Sequence, residues 1–249
     1  MMASDSTVAA PLLVTRGLVM RFGGVTAIDG VDFALAPGEL RCLIGPNGAG
    51  KSTFFKMLSG QLRPSAGSIH FRGHNLVGQH RHTIANLGVG IKTQVPNVFE
   101  GLSVRANLAI AARRHPASRD AARIVDDLLQ RLRLEALADR RVDTLAHGQR
   151  QWVELGLVLA PAPSLVLLDE PVAGMSDEET ERTAQLILDI ARDTAVVVVE
   201  HDIPFIRRIG SMVTVFHQGH ILTEGPVEAV LANRDVQDVY LGRQVKHDA

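Results

Sequence analysis

Apolar residues in this chain occur in two kinds of pattern, which predict two kinds of element. Short, mostly apolar runs at 39–44, 164–169 and 195–199 are typical of strands buried on both faces of a sheet. In residues 120–134 the apolar positions recur at helical spacing, and residues 177–191 begin with an acidic first turn, so both stretches predict helices. Strands that alternate with helices predict an α/β fold with a mostly parallel sheet.

The pattern changes in the middle of the chain, where strand signals disappear. Residues 103–160 carry only helical patterns, and Pro116 ends the first of these helices, at 104–114. Strand patterns lie on both sides, at 12–20, 25–35, 68–72, 87–93, 212–216 and 221–224, with Gln218-Gly219 as the turn of a terminal hairpin. We expect a single domain over 1–249, made of a sheet lobe (12–95 and 161–225), an inserted helical lobe (about 96–160) and a helical tail (226–249).

Composition and charge restrict the classes of function and the cellular compartment that are possible for this chain. The 249 residues are 46% hydrophobic, enough for a sizeable core, and the net charge of −1 gives no support to nucleic-acid binding. The single cysteine, Cys42, excludes an intramolecular disulfide and is expected to be a small buried residue in a reducing compartment. No apolar run reaches the ~20 residues of a membrane helix, and residues 1–5 lack the basic start of a secretory signal. We expect a cytoplasmic chain that reaches a membrane only through a partner.

A glycine-rich loop after the first buried run carries the clearest chemical signal. It fits G-x-x-x-x-G-K-[ST] between a predicted strand and a predicted helix at 53–59, the context that a phosphate-binding loop requires. The loop residues and the residue that follows them are Gly45, Pro46, Asn47, Gly48, Ala49, Gly50, Lys51, Ser52 and Thr53. Glycines let backbone N–H groups face phosphate oxygens, and the helix N-terminus adds positive charge. We expect Lys51 to reach the β- and γ-phosphates of a nucleoside triphosphate and Ser52 to ligate Mg²⁺.

Two adjacent carboxylates, Asp169 and Glu170, stand where the second buried run ends. The carboxyl ends of parallel strands meet at one edge of a sheet, so both side chains are expected beside the phosphate loop. Asp169 is then placed to hold Mg²⁺, usually through water, and Glu170 to act as general base on the attacking water. The alternative is a plain acidic turn; the phosphate loop earlier in the chain favours the catalytic interpretation.

The order of these motifs, with five others, resembles the ATP-binding cassette family over nearly the whole chain. One of the five is a signature, which in the family reads Leu-Ser-Gly-Gly-Gln before a helix. This chain has Leu145-Ala146-His147-Gly148-Gln149 there, so it departs from the family at Ala146 and His147. Both the motif order and the helical insertion around the signature carry the resemblance.

The remaining four motifs are single residues or short loops placed by the same resemblance. Gln94 falls at the Q-loop, His201 at the switch histidine, and residues 173–177 at the D-loop. Phe22 falls at the aromatic A-loop, where its ring would stack on adenine. Taken singly, Phe22 is equally a core aromatic, Gln94 any loop glutamine and His201 a structural histidine. The spacing across the set of motifs favours the functional interpretation for Gln94 and His201.

The resemblance implies a fold, a reaction and a set of partners. The fold is a P-loop nucleoside triphosphatase cassette with a mostly parallel sheet core, an antiparallel β lobe and an inserted helical subdomain. Two cassettes dimerise head to tail, so that each ATP lies between one phosphate loop and the signature of the other subunit, here Ala146, His147, Gly148 and Gln149. Gln94 would contact Mg²⁺ and the γ-phosphate, and Glu170 and His201 would act in hydrolysis. Implied partners are integral membrane permeases and, indirectly, a periplasmic solute-binding protein, at the inner face of the cell membrane; nucleic acid is not among them.

Finer resemblance suggests which solute the transporter carries. Residues 21–24 and 38–51 look like the branched-chain amino acid importer branch, and residues 146–152, 169–175 and 217–219 look most like the ATPase subunits of urea importers. Urea is therefore the predicted solute, with branched-chain amino acids or short amides as the alternative. A cassette ATPase of translation or DNA repair is the rival class. The single cassette, the short insertion and the near-neutral charge argue against it.

Overall fold

The computed structural model describes residues 10–93, 97–210 and 212–241, so Gln94 lies outside the described residues. The strands are β1 (Leu13–Phe22), β2 (Val25–Leu35), β3 (Leu40–Ile44), β4 (Ala66–Phe71), β5 (His74–Asn75), β6 (Val89–Lys92), β7 (Leu165–Asp169), β8 (Ala195–Val199), β9 (Met212–His217) and β10 (His220–Pro226). The α-helices are α1 (Lys51–Leu58), α2 (Arg81–Asn86), α3 (Val104–Ala112), α4 (Ala121–Arg131), α5 (His147–Leu159), α6 (Asp177–Ala191), α7 (Ile203–Ile209), α8 (Val227–Leu231) and α9 (Arg234–Leu241).

A six-stranded sheet in the order β10-β9-β3-β8-β7-β6 positions the candidate site. Its neighbours pair in parallel except β9 and β10, which form the predicted hairpin. Every residue of β3, β7 and β8 is buried, which explains why these strands read as continuous apolar runs. Val199 pairs with Leu43 on one side and with Asp169 on the other. The carboxyl ends of the three central strands therefore meet at one edge of the sheet.

A second, antiparallel sheet, β2-β1-β4-β5, shares an apolar cluster with α1 and the six-stranded sheet. Phe54 and Phe55 of α1 are fully buried in one apolar cluster with side chains of both sheets. Phe33 of β2 meets Phe54 edge to face, with ring centroids 5.4 Å apart. This packing fixes the helix that follows the phosphate loop, and the antiparallel sheet is the one that the family resemblance predicts.

Helices α3, α4 and α5 lie between β6 and β7 in the chain and pack against one another. Gly156 of α5 permits a close approach, because a Cβ there would lie 2.7 Å from Leu108 and 2.8 Å from Leu132. Trp152 is buried, and its indole N–H donates to Thr183 of α6 at 3.0 Å. The inserted helices are thus present; the exact lobe limits, 96–160 against 12–95 and 161–225, stay a prediction.

Several elements differ from those predicted from the sequence. Helix α7 was not predicted: it has seven residues, Asp202 caps it by accepting the Phe205 N–H at 2.9 Å, and Gly210 follows its last residue. The strand expected over 87–93 is limited to Val89–Lys92, because α2 and a glycine at φ +103° precede it. The helical tail is two helices, α8 and α9, with a break at 232–233.

Candidate nucleotide site

The phosphate loop joins β3 to α1 through two glycines that tolerate no side chain. Gly45 has φ +145°, and a Cβ there would lie 2.2 Å from a backbone carbonyl of β9. Gly50 has φ +109°, and its Cβ would lie 2.8 Å from a backbone carbonyl of β2. The β9–β10 turn also holds the loop, since the Gly219 N–H donates to the Ala49 carbonyl at 3.0 Å. Gly50 has no side chain to cap α1, so the first N–H groups of the helix can serve an anion.

Lys51, the first residue of α1, folds back over this loop. Its Nζ donates to the carbonyl oxygens of Gly45 at 2.5 Å and Pro46 at 3.1 Å. Burial lowers the pKa of Lys51, and the nearby carboxylates of Glu170 and Asp169 oppose that shift. Because its present partners are neutral carbonyls, the ammonium can exchange them for phosphate oxygens, which are stronger acceptors.

Asp169 ends β7 with a buried carboxylate that is 6% exposed. Its Oδ1 has no hydrogen-bond partner among the described residues. Burial raises the pKa of Asp169, the Glu170 charge raises it further, and three nearby lysines lower it. An unpaired buried carboxylate oxygen suits Mg²⁺ or a metal-bound water, and Ser52 is exposed in the first turn of α1. Asp169 and Ser52 therefore fit a magnesium site by the chemistry of their oxygens.

Glu170 begins the turn after β7 in an unusual backbone conformation. Its φ is +47°, in the left-handed region that residues with a Cβ rarely adopt. Its N–H donates to the Val199 carbonyl at 3.0 Å, which ties the turn to the end of β8. Glu170 Oε1 lies 3.6 Å from Nδ1 of His201, whose side chain is 65% exposed. The fold thus brings together two residues that are 31 positions apart in the chain.

A third acidic residue at this edge, Glu200, is one that the sequence analysis missed. It is 2% exposed, and its Oε2 accepts the His201 N–H at 3.0 Å. Its Oε1 accepts the Val172 N–H at 3.5 Å. Burial raises the pKa of Glu200, and backbone N–H groups of His201, Val172 and Asp202 oppose the shift. The available signal was a carboxylate placed directly after four consecutive valines.

A buried ion pair joins the strand that precedes Gln94 to the signature helix. Lys92 Nζ in β6 lies 3.6 Å from Glu154 Oε2 in α5, and the two side chains are 4% and 6% exposed. Burial lowers the pKa of Lys92 and raises that of Glu154, and each partner opposes the shift of the other. The pair lines a cavity of about 580 Å³ between β6 and α5, together with Arg114 and Asn97. The sequence analysis missed this pair as well.

The signature residues lie at the N-terminus of α5. Ala146 is the N-cap, and its N–H donates to Gln149 Oε1 at 3.1 Å. His147 Nε2 is 3.2 Å from the carbonyl oxygen of Ala173. Gly148 lies so close to Glu179 that a Cβ would come within 2.2 Å of its Oε1. Among the described residues, no hydrogen bond or ion pair joins the signature to the phosphate loop of the same chain.

Phe22 ends β1 and is 46% exposed, which excludes the interpretation as a core aromatic. The ring is free to stack, and its contact with adenine stays a prediction. Cys42 is fully buried, and burial raises the pKa of its thiol to about 12, which agrees with an unreactive packing residue. Gln94 is a predicted site residue on which the structure gives no information.

Comparisons with known proteins agree with this geometry. Residues 28–173 match the family model described as ABC transporter. The chain is 34% identical, over 93% of its length and 98% of the relative, to LivG of Escherichia coli strain K12, and 33% identical with the same coverage to BraF of Pseudomonas aeruginosa. Both relatives are described as high-affinity branched-chain amino acid transport ATP-binding proteins.

Solved structures match over a similar length. The ATP-binding cassette MJ1267 of an ABC transporter superposes with a TM-score of 0.83 at 25% identity, covering 92% of this chain and 98% of that one. CbiO1 from Clostridium perfringens, part of the transporter complex cbiONQ, has a TM-score of 0.82 at 26% identity and covers 94% and 97%.

Proposed function

This chain belongs to the ABC transporter family as an ATP-binding, ATP-hydrolysing subunit that energises import, and we propose that Lys51, Asp169, Glu170 and His201 form its working site. The observation that carries the proposal is the single edge of the parallel sheet where the phosphate loop, the Asp169-Glu170 turn and the His201 loop meet. At this edge the Lys51 ammonium, which can bind phosphate, lies near the carboxylates of Asp169 and Glu170, which can bind metal and activate water.

The residues divide the reaction among them. Lys51 and the N–H groups of the loop bind the β- and γ-phosphates. Glu170 takes a proton from the attacking water. The water oxygen bonds to the γ-phosphorus as the bond between the γ-phosphorus and the β–γ bridging oxygen breaks. His201, 3.6 Å from Glu170, is placed to contact the γ-phosphate and hold the carboxylate in position. Mg²⁺, held by Ser52, Asp169 and Gln94, would neutralise charge on the phosphate oxygens.

The assembly that we propose is a head-to-tail pair of cassettes. Support comes from the signature, whose helix N-terminus makes no hydrogen bond or ion pair with the phosphate loop of its own chain among the described residues. It is therefore available to the ATP of a second subunit, to which backbone N–H groups would donate. The described helices include none long and apolar enough to cross a membrane. We propose that permease subunits hold the cassette at the inner membrane face and that a periplasmic binding protein delivers the solute to them.

For the solute, we propose a branched-chain amino acid as first candidate, because the relatives LivG and BraF are described by that substrate. Urea remains the second candidate, on the resemblance of residues 146–152, 169–175 and 217–219 to urea-importer subunits. Both solutes would be bound by the permeases and binding protein rather than by this chain.

A substitution of Lys51 tests the proposal in two steps. Lys51→Ala removes the mobile cation of the phosphate loop, so ATP affinity measured by calorimetry should fall at least tenfold. Cys42→Ala is the matched control, since Cys42 is buried in the strand before the loop and should leave affinity unchanged.

Uptake of radiolabelled leucine and urea is then compared in cells whose chromosomal copy carries Lys51→Ala or Cys42→Ala. Loss of leucine uptake alone supports the first candidate, and loss of urea uptake alone supports the second. Unchanged ATP affinity in the Lys51→Ala protein would contradict the proposed site.

A further inference from the structure

Two short loops carry the proposed catalytic pair, and they meet at one buried side chain. Residues 170–173 form the turn after β7, and residues 200–202 follow β8. Glu200 accepts the Val172 N–H of the first loop at 3.5 Å and the His201 N–H of the second at 3.0 Å. The Asp202 N–H also donates to it. One carboxylate thus binds backbone donors from both loops.

The turn at Glu170 needs such support because its backbone is strained. A non-glycine residue at φ +47° persists only where surrounding contacts determine it. The turn is held from within by the Ala173 N–H, 3.3 Å from the Glu170 carbonyl, and from β8 by the bond between Glu170 N–H and Val199. Glu200 adds the contact that links this turn to His201. Its Oε2 is also 3.8 Å from the His201 ring nitrogen Nδ1.

We propose that Glu200 is a positioning residue, which holds Glu170 and His201 in register by fixing the backbones of their two loops. This inference rests on the proposed function, because it assigns Glu200 an effect only through those two residues. Glu200 is 2% exposed and has no path to the substrate of its own. Its carboxylate suits the task since both oxygens accept, and its hydrogen-bond partners among the described residues are backbone N–H groups.

Glu200→Gln is the sharpest perturbation because it keeps the shape of the side chain. Gln has one acceptor oxygen, so its amide NH₂ must face at least one of the backbone donors and push the two loops apart. A misplacement of about 1 Å in a catalytic group can cost about 100-fold in rate. We expect kcat for ATP hydrolysis to fall about 10- to 100-fold. The Kd for ATP should stay within twofold, since Lys51 and the phosphate loop are untouched.

A double-mutant cycle distinguishes positioning from a general structural role. Glu170→Gln alone should reduce kcat strongly; adding Glu200→Gln to it should reduce the remaining rate by a smaller factor than Glu200→Gln reduces the parent rate, because one of the two residues that Glu200 positions has already lost its function. Glu39→Gln is the matched control: its carboxylate also accepts a backbone N–H, from Ala36 at 2.8 Å, but it precedes β3 at the opposite edge of the sheet. That variant should keep the parent kcat.

The outcomes distinguish a failure of the proposed function from a failure of the role proposed for Glu200. If Glu170→Gln keeps the parent rate, the proposed function fails and this inference fails with it. If Glu170→Gln is inactive but Glu200→Gln has the same kcat as Glu39→Gln, Glu200 is not a positioning residue. The same conclusion follows if the effects of Glu170→Gln and Glu200→Gln on kcat multiply fully in the double variant. Should Glu200→Gln not fold, Glu200→Asp replaces it: the shorter carboxylate keeps the charge and the His201 contact but cannot also reach Val172, so kcat should fall with Kd unchanged. Parent-like kcat in that variant would overturn the proposal.

Discussion

Replacing Glu154 with Leu should destabilise the fold by about 3 kcal/mol, because the buried Lys92 ammonium then loses its counter-charge. Both side chains are less than a tenth exposed, at 4% for Lys92 and 6% for Glu154. Without the carboxylate, the Lys92 ammonium would remain as a largely buried charge at the wall of the cavity between β6 and α5.

The magnitude follows from the geometry of the pair. Removal of one partner of a buried ion pair typically costs about 3–5 kcal/mol. The Nζ to Oε2 distance of 3.6 Å is longer than the ~2.8 Å of a strong charge-assisted bond, and Glu154 Oε1 has no partner among the described residues. The pair is thus imperfect, which places the expected loss at the lower end. For the same reason the double variant Lys92→Met/Glu154→Leu should lie within about 1 kcal/mol of the parent or above it.

The pH dependence gives a second, independent signature. Burial lowers the pKa of Lys92 below 10.5, and Glu154 opposes that shift, so the Glu154→Leu substitution lowers the pKa further. Between the folded and unfolded pKa values of Lys92 the unfolded chain binds more protons, so the free energy of unfolding rises with pH. Glu154→Leu should therefore regain stability as the pH is raised from about 7 to about 10, and the double variant should not.

Urea denaturation of the four proteins of the cycle, at several pH values, measures both effects. Lys92→Met alone should also lose stability, because it leaves the Glu154 carboxylate buried without its cation. A Glu154→Leu protein that is as stable as the parent at pH 7, or whose loss is the same at every pH, would refute the reasoning and show that Lys92 reaches solvent.

Three further predictions concern the site. Glu170→Gln should bind ATP normally but hydrolyse it about 10²- to 10⁴-fold more slowly, and gel filtration with ATP and Mg²⁺ should show a dimer; near-normal turnover would contradict its role as base. Cys42, with a thiol pKa raised to about 12, should not react with maleimide in the folded protein at pH 8, as mass spectrometry can check, and should react after denaturation. Ala146→Ser should raise the ATPase rate of the homodimer, because the hydroxyl supplies a hydrogen bond to a charged oxygen worth about 1.5–3 kcal/mol; equal rates for parent and variant would contradict this.

The features that the sequence predicted are those determined by local chemistry. Strand β8 and helix α6 have the predicted limits, 195–199 and 177–191, because a fully buried strand must be apolar throughout and Ser176 with Glu179 caps α6. The phosphate loop was predictable because Gly45 and Gly50 are required by its own backbone path. Helix α7 was missed because seven residues with Pro204 in the first turn give too short a pattern to identify.

The features that the sequence did not predict depend on which elements become neighbours. Lys92 and Glu154 lie 62 positions apart, and each alone is an ordinary charged residue until β6 and α5 pack together. Glu200 directly follows the predicted strand at 195–199, and its hydrogen bond to the Val172 N–H depends on a different loop coming next to it. A buried carboxylate is costly unless its oxygens are hydrogen-bonded, and Glu200 meets that condition through backbone N–H groups of two loops.

The structure shows which features of the signature are kept although Ala146 and His147 depart from the family pattern. At the position of the family serine, Ala146 cannot donate a hydroxyl hydrogen bond, but it still adopts the extended N-cap conformation and its N–H is held by Gln149. The N–H groups at the start of α5 come from the backbone, so they do not depend on that side chain. His147, in place of the family glycine, adds a contact to Ala173 in the turn that carries Glu170. In the proposed head-to-tail dimer, the Ala146 substitution would remove one donor to the partner's ATP, while His147 links the signature helix to the turn that carries Glu170.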